Sequence, residues 1–343
     1  MRLSAMGDVA MTVPVLRAFV NQNPNVKITV ISRPFFKPFF EGIPNIVFFE
    51  FDAKQRHKGF FGLLRLYQDL KSLQIDAFAD LHNVLRSKVI RTLFAWSGKK
   101  VAFTNKGRSE KKALTRAKNK VFKPLKSMFE RHVETFNQLG FPIDLTNPSF
   151  PKKAVLSNAI LKALIENEKI PDFSGIRIGI APFAQYESKV YPPDLMQKVI
   201  DDLASDSNNV VFLFGGGNKE IAILNQFSRD KQNVVVVAGK LSLEQELQLI
   251  SNLDLMLSMD SGNAHLAAML GIKVITLWGA THPFAGFLPF NQPIENALVS
   301  DRNLFPKLPT SVYGNKKVEG YEDAMRSILP EEVVAKIKEK LKI

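Results

Sequence analysis

Two short apolar runs, 253–257 and 274–278, flank residues 258–271, Ser-Met-Asp-Ser-Gly-Asn-Ala-His-Leu-Ala-Ala-Met-Leu-Gly. The order predicts a strand, a tight turn, a helix and a second strand. Asp260 falls where the first strand ends, Ser261 and Gly262 make the turn, and residues 263–270 form a helix that Gly271 stops. In such a βαβ unit the strand's carboxyl end and the helix's free N–H groups converge on one crevice. The helix dipole favours an anion there, and a phosphate fits. Taken alone, Asp260 and Ser261 read equally well as helix caps, and His265, one turn into the helix, reads as a core histidine.

The rest of the chain repeats the alternation. Residues 1–4 resemble the tail of a strand, and the next ones, Ala5-Met-Gly-Asp-Val-Ala10, lead into a helix over 12–20 with Pro14 in its first turn. So short a first strand suggests that the natural one begins upstream. Gly7 suits a close backbone approach, and Asp8 falls at a strand-to-helix turn, where it reads as a plain N-cap or as a residue facing a crevice. Strands follow at 26–32, 46–49, 77–81 and 100–103, with helices at 60–73, 85–94 and 128–139. The proline-rich stretch 140–153 marks a domain boundary. A helix over 156–169 opens a second series, with strands at 176–181, 210–214, 234–237, 253–257 and 274–278. Its helices lie near 194–203, 219–227 and 242–250, and Ser242 with Gln245 is a capping-box signature. The expectation is two α/β domains with largely parallel sheets, 1–150 and 151–343. The chain is irregular from 279 to about 321, a stretch expected to lid the crevice or brace the domains. A charged amphipathic helix over 331–341 is expected to return onto the first domain.

Composition narrows the chemistry. The 343 residues contain no cysteine, so disulfides, thiolate nucleophiles and cysteine-ligated metals are excluded, and the five histidines show no metal-ligand spacing. No apolar run approaches the ~20 residues that span a bilayer and no signal-peptide pattern is present, which predicts a cytoplasmic protein. The net charge is +13, with 25 Lys and Arg against 11 Asp and Glu in residues 1–150, and 21 against 22 thereafter. A basic first half attracts polyanions: nucleic acid, an anionic membrane surface or a phosphorylated glycan. The loop 52–59 and the segment 104–126, with Arg108, Lys111, Lys112, Arg116, Lys118 and Lys120, are the candidates to face an anion.

Charged or glycine-rich loops follow the strands of the second series. Lys189 lies in the loop after 176–181. Gly215, Gly216 and Gly217 follow 210–214 and lead to Glu220, and Gly239, Lys240 and Leu241 follow 234–237. Glycines there let backbone approach a ligand, so one crevice of the second domain is expected to hold a nucleotide.

With these residues in place the chain resembles glycosyltransferase family 9, the ADP-heptose:lipopolysaccharide heptosyltransferases, over nearly its whole length. The likeness is carried by Arg2-Leu-Ser-Ala-Met-Gly-Asp-Val9, Asp80-Leu-His-Asn-Val-Leu-Arg-Ser87, the loop ending in Lys189, Asp260-Ser-Gly-Asn-Ala-His-Leu-Ala-Ala268 and Leu277-Trp-Gly-Ala-Thr281. It implies a GT-B architecture, two Rossmann-like domains with parallel sheets facing a central cleft, the donor on the C-terminal domain and the acceptor on the N-terminal one. It also implies an inverting transfer from an ADP-sugar that needs neither metal nor cofactor. By the same likeness Asp8 matches the general base, Lys189 the diphosphate-binding lysine, Glu220 the ribose-side acid and Leu241 the position beside the adenine. Asp260, Ser261, Gly262 and Asn263 match the turn that holds donor sugar and diphosphate, with Gly216 and His265 in the same donor set. Arg56, Lys58 and Arg86 are the expected contacts to an anionic, lipid A/Kdo-type acceptor, whose lipid anchor implies peripheral association with the inner face of the membrane. The chain departs from the family pattern at Ala184 and Gln185, where many members carry hydroxyls, and over 305–325, where related sequences often carry cysteines.

Two other readings remain open on sequence. A GT-B sugar-nucleotide epimerase would share the fold. A non-catalytic polyanion-binding protein would share the basic first half, although no aromatic-interleaved basic motif points to nucleic acid.

Overall fold

The computed structural model describes residues 1–164 and 175–342. The chain divides into two compact units, Met1–Gly107 with Lys126–Ser149, and Arg108–Leu125 with Phe150–Ile343. The expected division at 150 therefore misses one excursion: residues 108–125, placed with the first domain by sequence, belong to the second unit. The correction matters for the charge. By this division the first unit holds 18 basic against 10 acidic residues, and the second 28 against 23.

The second unit contains a six-stranded sheet. Its strands, numbered after the four of the first unit given below, are β5 (Ile176–Ala181), β6 (Asn209–Leu213), β7 (Val234–Val236), β8 (Leu255–Met259), β9 (Lys273–Trp278) and β10 (Ala297–Val299). They lie in the order β10-β9-β8-β5-β6-β7 and every pair is parallel. Read from β7, this is the 3-2-1-4-5-6 order of a dinucleotide-binding fold, and it reverses between β5 and β8. The strands are buried on both faces, as their unbroken Val, Ile and Leu runs require in a helix-covered parallel sheet. One core joins Ile178, Ile180, Val211, Leu213, Leu255 and Leu257 to the flanking helices. Val333, Val334 and Ile337 of the terminal helix Pro330–Leu341 belong to it, where that helix packs on helix Pro193–Ser205. That packing lies within the second unit. Strand β10 and helix Arg108–Thr115 were not expected from sequence. Helix Asn158–Leu164 begins two residues later than the helix predicted over 156–169, and the part of that prediction over 165–169 lies outside the described residues.

The first unit carries β1 (Ile28–Ser32) paired with β2 (Ile46–Glu50), and β3 (Ala77–Asp80) paired with β4 (Lys100–Phe103), all parallel. Residues 1–3 lie between the two pairs. The Arg2 N–H donates to Ile31 O at 3.1 Å, the Met1 nitrogen to Ala79 O at 2.8 Å, and the Leu81 N–H to Met1 O at 3.2 Å. The order is thus β2, β1, residues 1–3, β3, β4, and it too reverses beside its first strand. After β1, Pro34 and Pro38 interrupt any α-helical ladder, so Pro34–Phe40 coils as a 3-10 helix burying Phe36, Phe39 and Phe40. After β2, the Asp52 carboxylate accepts the N–H groups of Lys54, Gln55 and Arg56 and folds the loop that leads to helix Gly59–Lys71.

Gly62 fixes that loop to its helix, because a Cβ there would overlap the backbone carbonyl of His57. Alanine is the better helix former by about 1 kcal/mol, but an overlap with backbone costs about 1–3 kcal/mol or more. Gly62→Ala is therefore expected to be destabilising, by about 2 kcal/mol at the upper end of that cost, seen as a lower urea midpoint at unchanged m-value. An unchanged midpoint would mean that the 52–58 loop yields freely.

Candidate functional site

In an open parallel sheet, ligands bind beyond the carboxyl ends of the strands where the order reverses. In the second unit that point lies between the ends of β5 and β8, and two charged residues meet there. Lys189 closes the one-turn 3-10 helix Glu187–Lys189 on the loop after β5, and Asp260 is the residue after β8. The Lys189 ammonium donates to the backbone oxygen of Asp260, and its Nζ lies 3.2 Å from Asp260 Oδ2, with both side chains nearly buried. An ammonium has three N–H donors, so these contacts leave one for a ligand.

The helix that follows, Gly262–Met269, begins without a side-chain cap. The Asp260 carboxylate is turned to Lys189, and the Ser261 hydroxyl pairs with Ser258 Oγ at 3.1 Å. Neither acts as the cap that their residue types suggested. The first N–H groups of the helix are thus left to whatever lies beyond β8, and they favour an anion.

The irregular stretch after β9 braces this arrangement. The Ala280 N–H donates to Ser188 O at 3.1 Å, the Ser188 hydroxyl donates to Gly314 O at 2.7 Å, and the Gly314 N–H donates to Ser311 Oγ at 2.9 Å. Gly314 has φ +85°, and a Cβ there would stand 2.6 Å from Lys189 Cγ. The loop therefore closes over the lysine stem. Sequence reading missed Ser188, Ser311 and Gly314, and a glycine in an irregular stretch gives no signal of what it packs against.

The other expected donor residues line the same sheet edge. Glu220, in the first turn of helix Asn218–Phe227, accepts the Gly216 N–H at 2.8 Å and so folds the glycine turn after β6. Gly239, at φ +78°, lies against Ile221 of that helix and turns the chain toward half-buried Leu241. Asn263 is half-buried in the first turn of helix Gly262–Met269, and His265 is buried in the same helix. Ser242 and Gln245 form the expected capping box, with Ser242 N to Gln245 Oε1 at 2.9 Å and Gln245 N to Ser242 Oγ at 3.3 Å. One turn on, burial pushes the Glu246 carboxyl up to about 7. Sequence reading offers no hint of it, since a glutamate in a first helical turn is ordinary.

In the first unit the reversal lies between residues 1–3 and β3, and Asp8 stands just beyond it in the short helix Met6–Ala10. Its carboxylate is ion-paired with the Arg2 guanidinium and accepts the Ala5 N–H at 3.2 Å. Arg2 is buried and also donates to Ser4 O at 2.9 Å and Leu81 O at 2.8 Å. It lies inside the motif that carries the family resemblance, yet sequence gave it no role. His82 and His132 are held neutral at physiological pH, both lowered to about 3, first by burial and then by the nearby Arg2 charge. Buried Asp80 accepts the N–H groups of His82 and Asn83 at 3.0 and 2.7 Å and pairs with Arg91 at 3.2 Å.

The three expected acceptor contacts differ in availability. Arg56 is engaged by Asp69, its Nε 2.7 Å from Oδ2, and so braces the 52–58 loop. Lys58 is exposed before helix Gly59–Lys71, and the Arg86 guanidinium lies over the Phe51 ring at 5.4 Å. Two lysines of the segment expected to face an anion are structural. Lys111 is buried over the Phe287 ring at 4.0 Å, and Lys120 donates to the carbonyls of Leu114, Lys307 and Pro309.

Comparison with known proteins agrees with this geometry. The model of glycosyltransferase family 9 (heptosyltransferase) matches residues 63–315. The lipopolysaccharide core heptosyltransferase OpsX of Haemophilus influenzae is 26% identical over 343 residues, covering 98% of this chain and 95% of its own. Two solved structures, each 19% identical, share the fold. A family 9 glycosyl transferase from Veillonella parvula superposes with a TM-score of 0.73 over 99% of this chain and 95% of its own. The Escherichia coli heptosyltransferase WaaC with ADP gives 0.66 over 99% and 98%.

The Lys189–Asp260 pair predicts a non-additive mutant cycle. Lys189→Met leaves a carboxylate nearly buried without its partner and is expected to cost about 2–4 kcal/mol of stability, while the double variant Lys189→Met/Asp260→Asn recovers at least about 1 kcal/mol. Additive losses would show that the pair is not coupled. Glu246 predicts a pH effect. Its folded value of about 7 lies above the ordinary 4.5, so the folded state holds the proton longer and stability falls as pH rises through that window. Glu246→Gln should therefore gain on the parent between about pH 5 and about pH 8, read from urea midpoints. A constant difference across that window would contradict the raised value.

Proposed function

This chain belongs to glycosyltransferase family 9, the heptosyltransferases, and on that premise we propose that it transfers a heptose from an ADP-linked donor to an anionic lipopolysaccharide core acceptor, with inversion and without a metal ion. One observation carries the reading: an uncapped helix N-terminus with Lys189 beside it, at the point where the sheet of the second unit reverses. A diphosphate fits that position. As the bond between the anomeric carbon and the phosphate oxygen breaks, charge gathers on the leaving ADP. The remaining Lys189 N–H and the N–H groups from Gly262 onward are arranged to meet it. Asp260 carries a negative charge and serves by holding Lys189, rather than by touching phosphate. Glu220 and Leu241 flank the nucleoside on the neighbouring strand ends, with Gly216 giving close backbone approach, and Asn263 lies beside the donor sugar.

The acceptor hydroxyl must lose its proton as it attacks the anomeric carbon from the face opposite the leaving group. Asp8 is the base in this reading, its carboxylate steadied by Arg2 and the Ala5 N–H. The neutral histidines near it, His82 and His132, add no competing positive charge. Lys58 and Arg86 are the proposed contacts to acceptor phosphate or carboxylate, and Arg56 contributes by fixing their loop. A lipid-anchored acceptor would draw the protein to the inner face of the membrane. Among the described residues no helix is long and apolar enough to cross one.

Thermal shift and transfer assays test the two halves separately. ADP at a hundred times its dissociation constant should add about 2.7 kcal/mol of stability, with UDP, GDP and CMP giving less. Asp8→Asn should keep that ADP shift while losing roughly 10²- to 10⁴-fold in transfer from ADP-heptose. Full transfer by Asp8→Asn would remove Asp8 as the base. Stabilisation by another nucleotide instead of ADP would change the donor and keep the transferase.

A further inference from the structure

In the first unit every strand runs the same way, so all segments that follow a strand emerge at one edge of the sheet. That edge carries Asp8 after residues 1–3, Pro34–Phe40 after β1, the 52–58 loop with the start of helix Gly59–Lys71 after β2, and the start of helix Leu85–Trp96 after β3. Several large apolar side chains on it are not explained by packing. Helix Gly59–Lys71 buries Leu63, Leu66 and Leu70 in the core, which satisfies its apolar face. Phe60 and Phe61 are surplus to that face, 63% and 76% exposed, with ring centroids 6.0 Å apart. The 3-10 helix buries Phe36, Phe39 and Phe40, yet Phe35 is 60% exposed. Exposed aromatics gathered on one edge mark an interaction surface, where scattered ones would not.

The charges between them have one sign to spare. Arg33, Lys54 and Lys58 are exposed and have no ion-pair partner among the described residues. The nearby acids are largely spoken for: Asp52 by three backbone N–H groups, Asp69 by Arg56 and His57, and Glu50 by Lys37 at 3.9 Å. Exposed aromatic rings and uncompensated cations on one edge match the chemistry of an anionic bilayer surface, where rings enter the interface and cations meet headgroup phosphates.

We propose that this edge of the first unit docks on an anionic phospholipid bilayer, with Phe35, Phe60 and Phe61 entering the interface and Arg33 and Lys54 against the headgroups. The inference extends the proposed function to the surface where a lipid-anchored acceptor is met. The consequence is an acceptor presented at the edge that bears Asp8.

Cosedimentation of the full chain with vesicles tests it without donor or acceptor, so it can fail separately from the transferase reading. Vesicles of phosphatidylcholine with about one third phosphatidylglycerol should bind the protein at low salt, pure phosphatidylcholine vesicles at least about tenfold less, and raising salt should weaken binding. Phe60→Ser/Phe61→Ser should lose at least about tenfold in partitioning to the anionic vesicles while keeping its thermal shift with ADP, which reports the second unit. Trp96, 81% exposed at the far end of its helix and so at the opposite edge, is the control, and Trp96→Ser should bind like the parent. Absence of binding, equal binding to neutral vesicles, undiminished binding by the double phenylalanine variant, or an equal loss in Trp96→Ser would each overturn the proposal.

Discussion

The arrangement of the second unit depends on one topological constraint, the reversal of strand order between β5 and β8. Parallel strands need crossovers, and crossovers of one hand place their helices on opposite faces of the sheet on the two sides of the first strand. At that strand the loops part, one upward and one downward, and topology provides for a crevice between them. Lys189 and Asp260 come from those two loops and are 71 residues apart in sequence. Their pairing is a consequence of the strand order. The braces at Ser188, Ala280, Ser311 and Gly314 exist because a nearly buried ammonium needs its stem held where its head can reach both a carboxylate and a ligand.

Much of this was legible in the sequence because parallel sheets write themselves as apolar runs. The apolar pattern places strand 176–181 to the residue and helix Gly262–Met269 within one. What failed failed for physical reasons. An apolar reading begins strand β8 two residues early, since Leu253 is apolar and buried like Leu255 and Leu257 yet precedes the ladder. Helix Arg108–Thr115 lies in the segment 104–126, which its lysines and arginines mark as a candidate to face an anion. Lys111 proves to be buried over Phe287 and Lys120 held by three carbonyls, contacts that a periodicity cannot show. Strand β10 spans three residues in a loop-like composition, and its pairing with β9 is decided by the sheet edge and not by its own sequence.

The candidate site was legible in a different way. Asp8, Lys189 and Asp260 are named by their place after a strand, and the structure puts each there. Their partners were not legible. Nothing in a one-dimensional reading says that Asp260 turns away from its helix toward Lys189, or that exposed Arg56 is clamped by Asp69. Charged side chains on loops are chosen by what lies within reach, and reach is set by the fold.

Each unit places a carboxylate and a cation together where its sheet reverses, but the two pairs are built with opposite polarity. In the first unit the cation is the buried member. Arg2 spends its donors on Ser4 O, Leu81 O and Asp8, so it has little left for a ligand, and the half-buried carboxylate is what the site presents. In the second unit the ammonium keeps a donor and stands by uncapped helix N–H groups, so the site presents positive potential while its carboxylate is consumed. A group transfer from a nucleoside diphosphate needs both characters, a base that takes a proton and a set of donors that accept growing negative charge. The same α/β topology supplies either one according to which partner of the ion pair is saturated. A substitution that merely swapped charge at one site, such as an arginine for Lys189, would not exchange the roles, because a planar guanidinium would need a different brace from the one Gly314 provides.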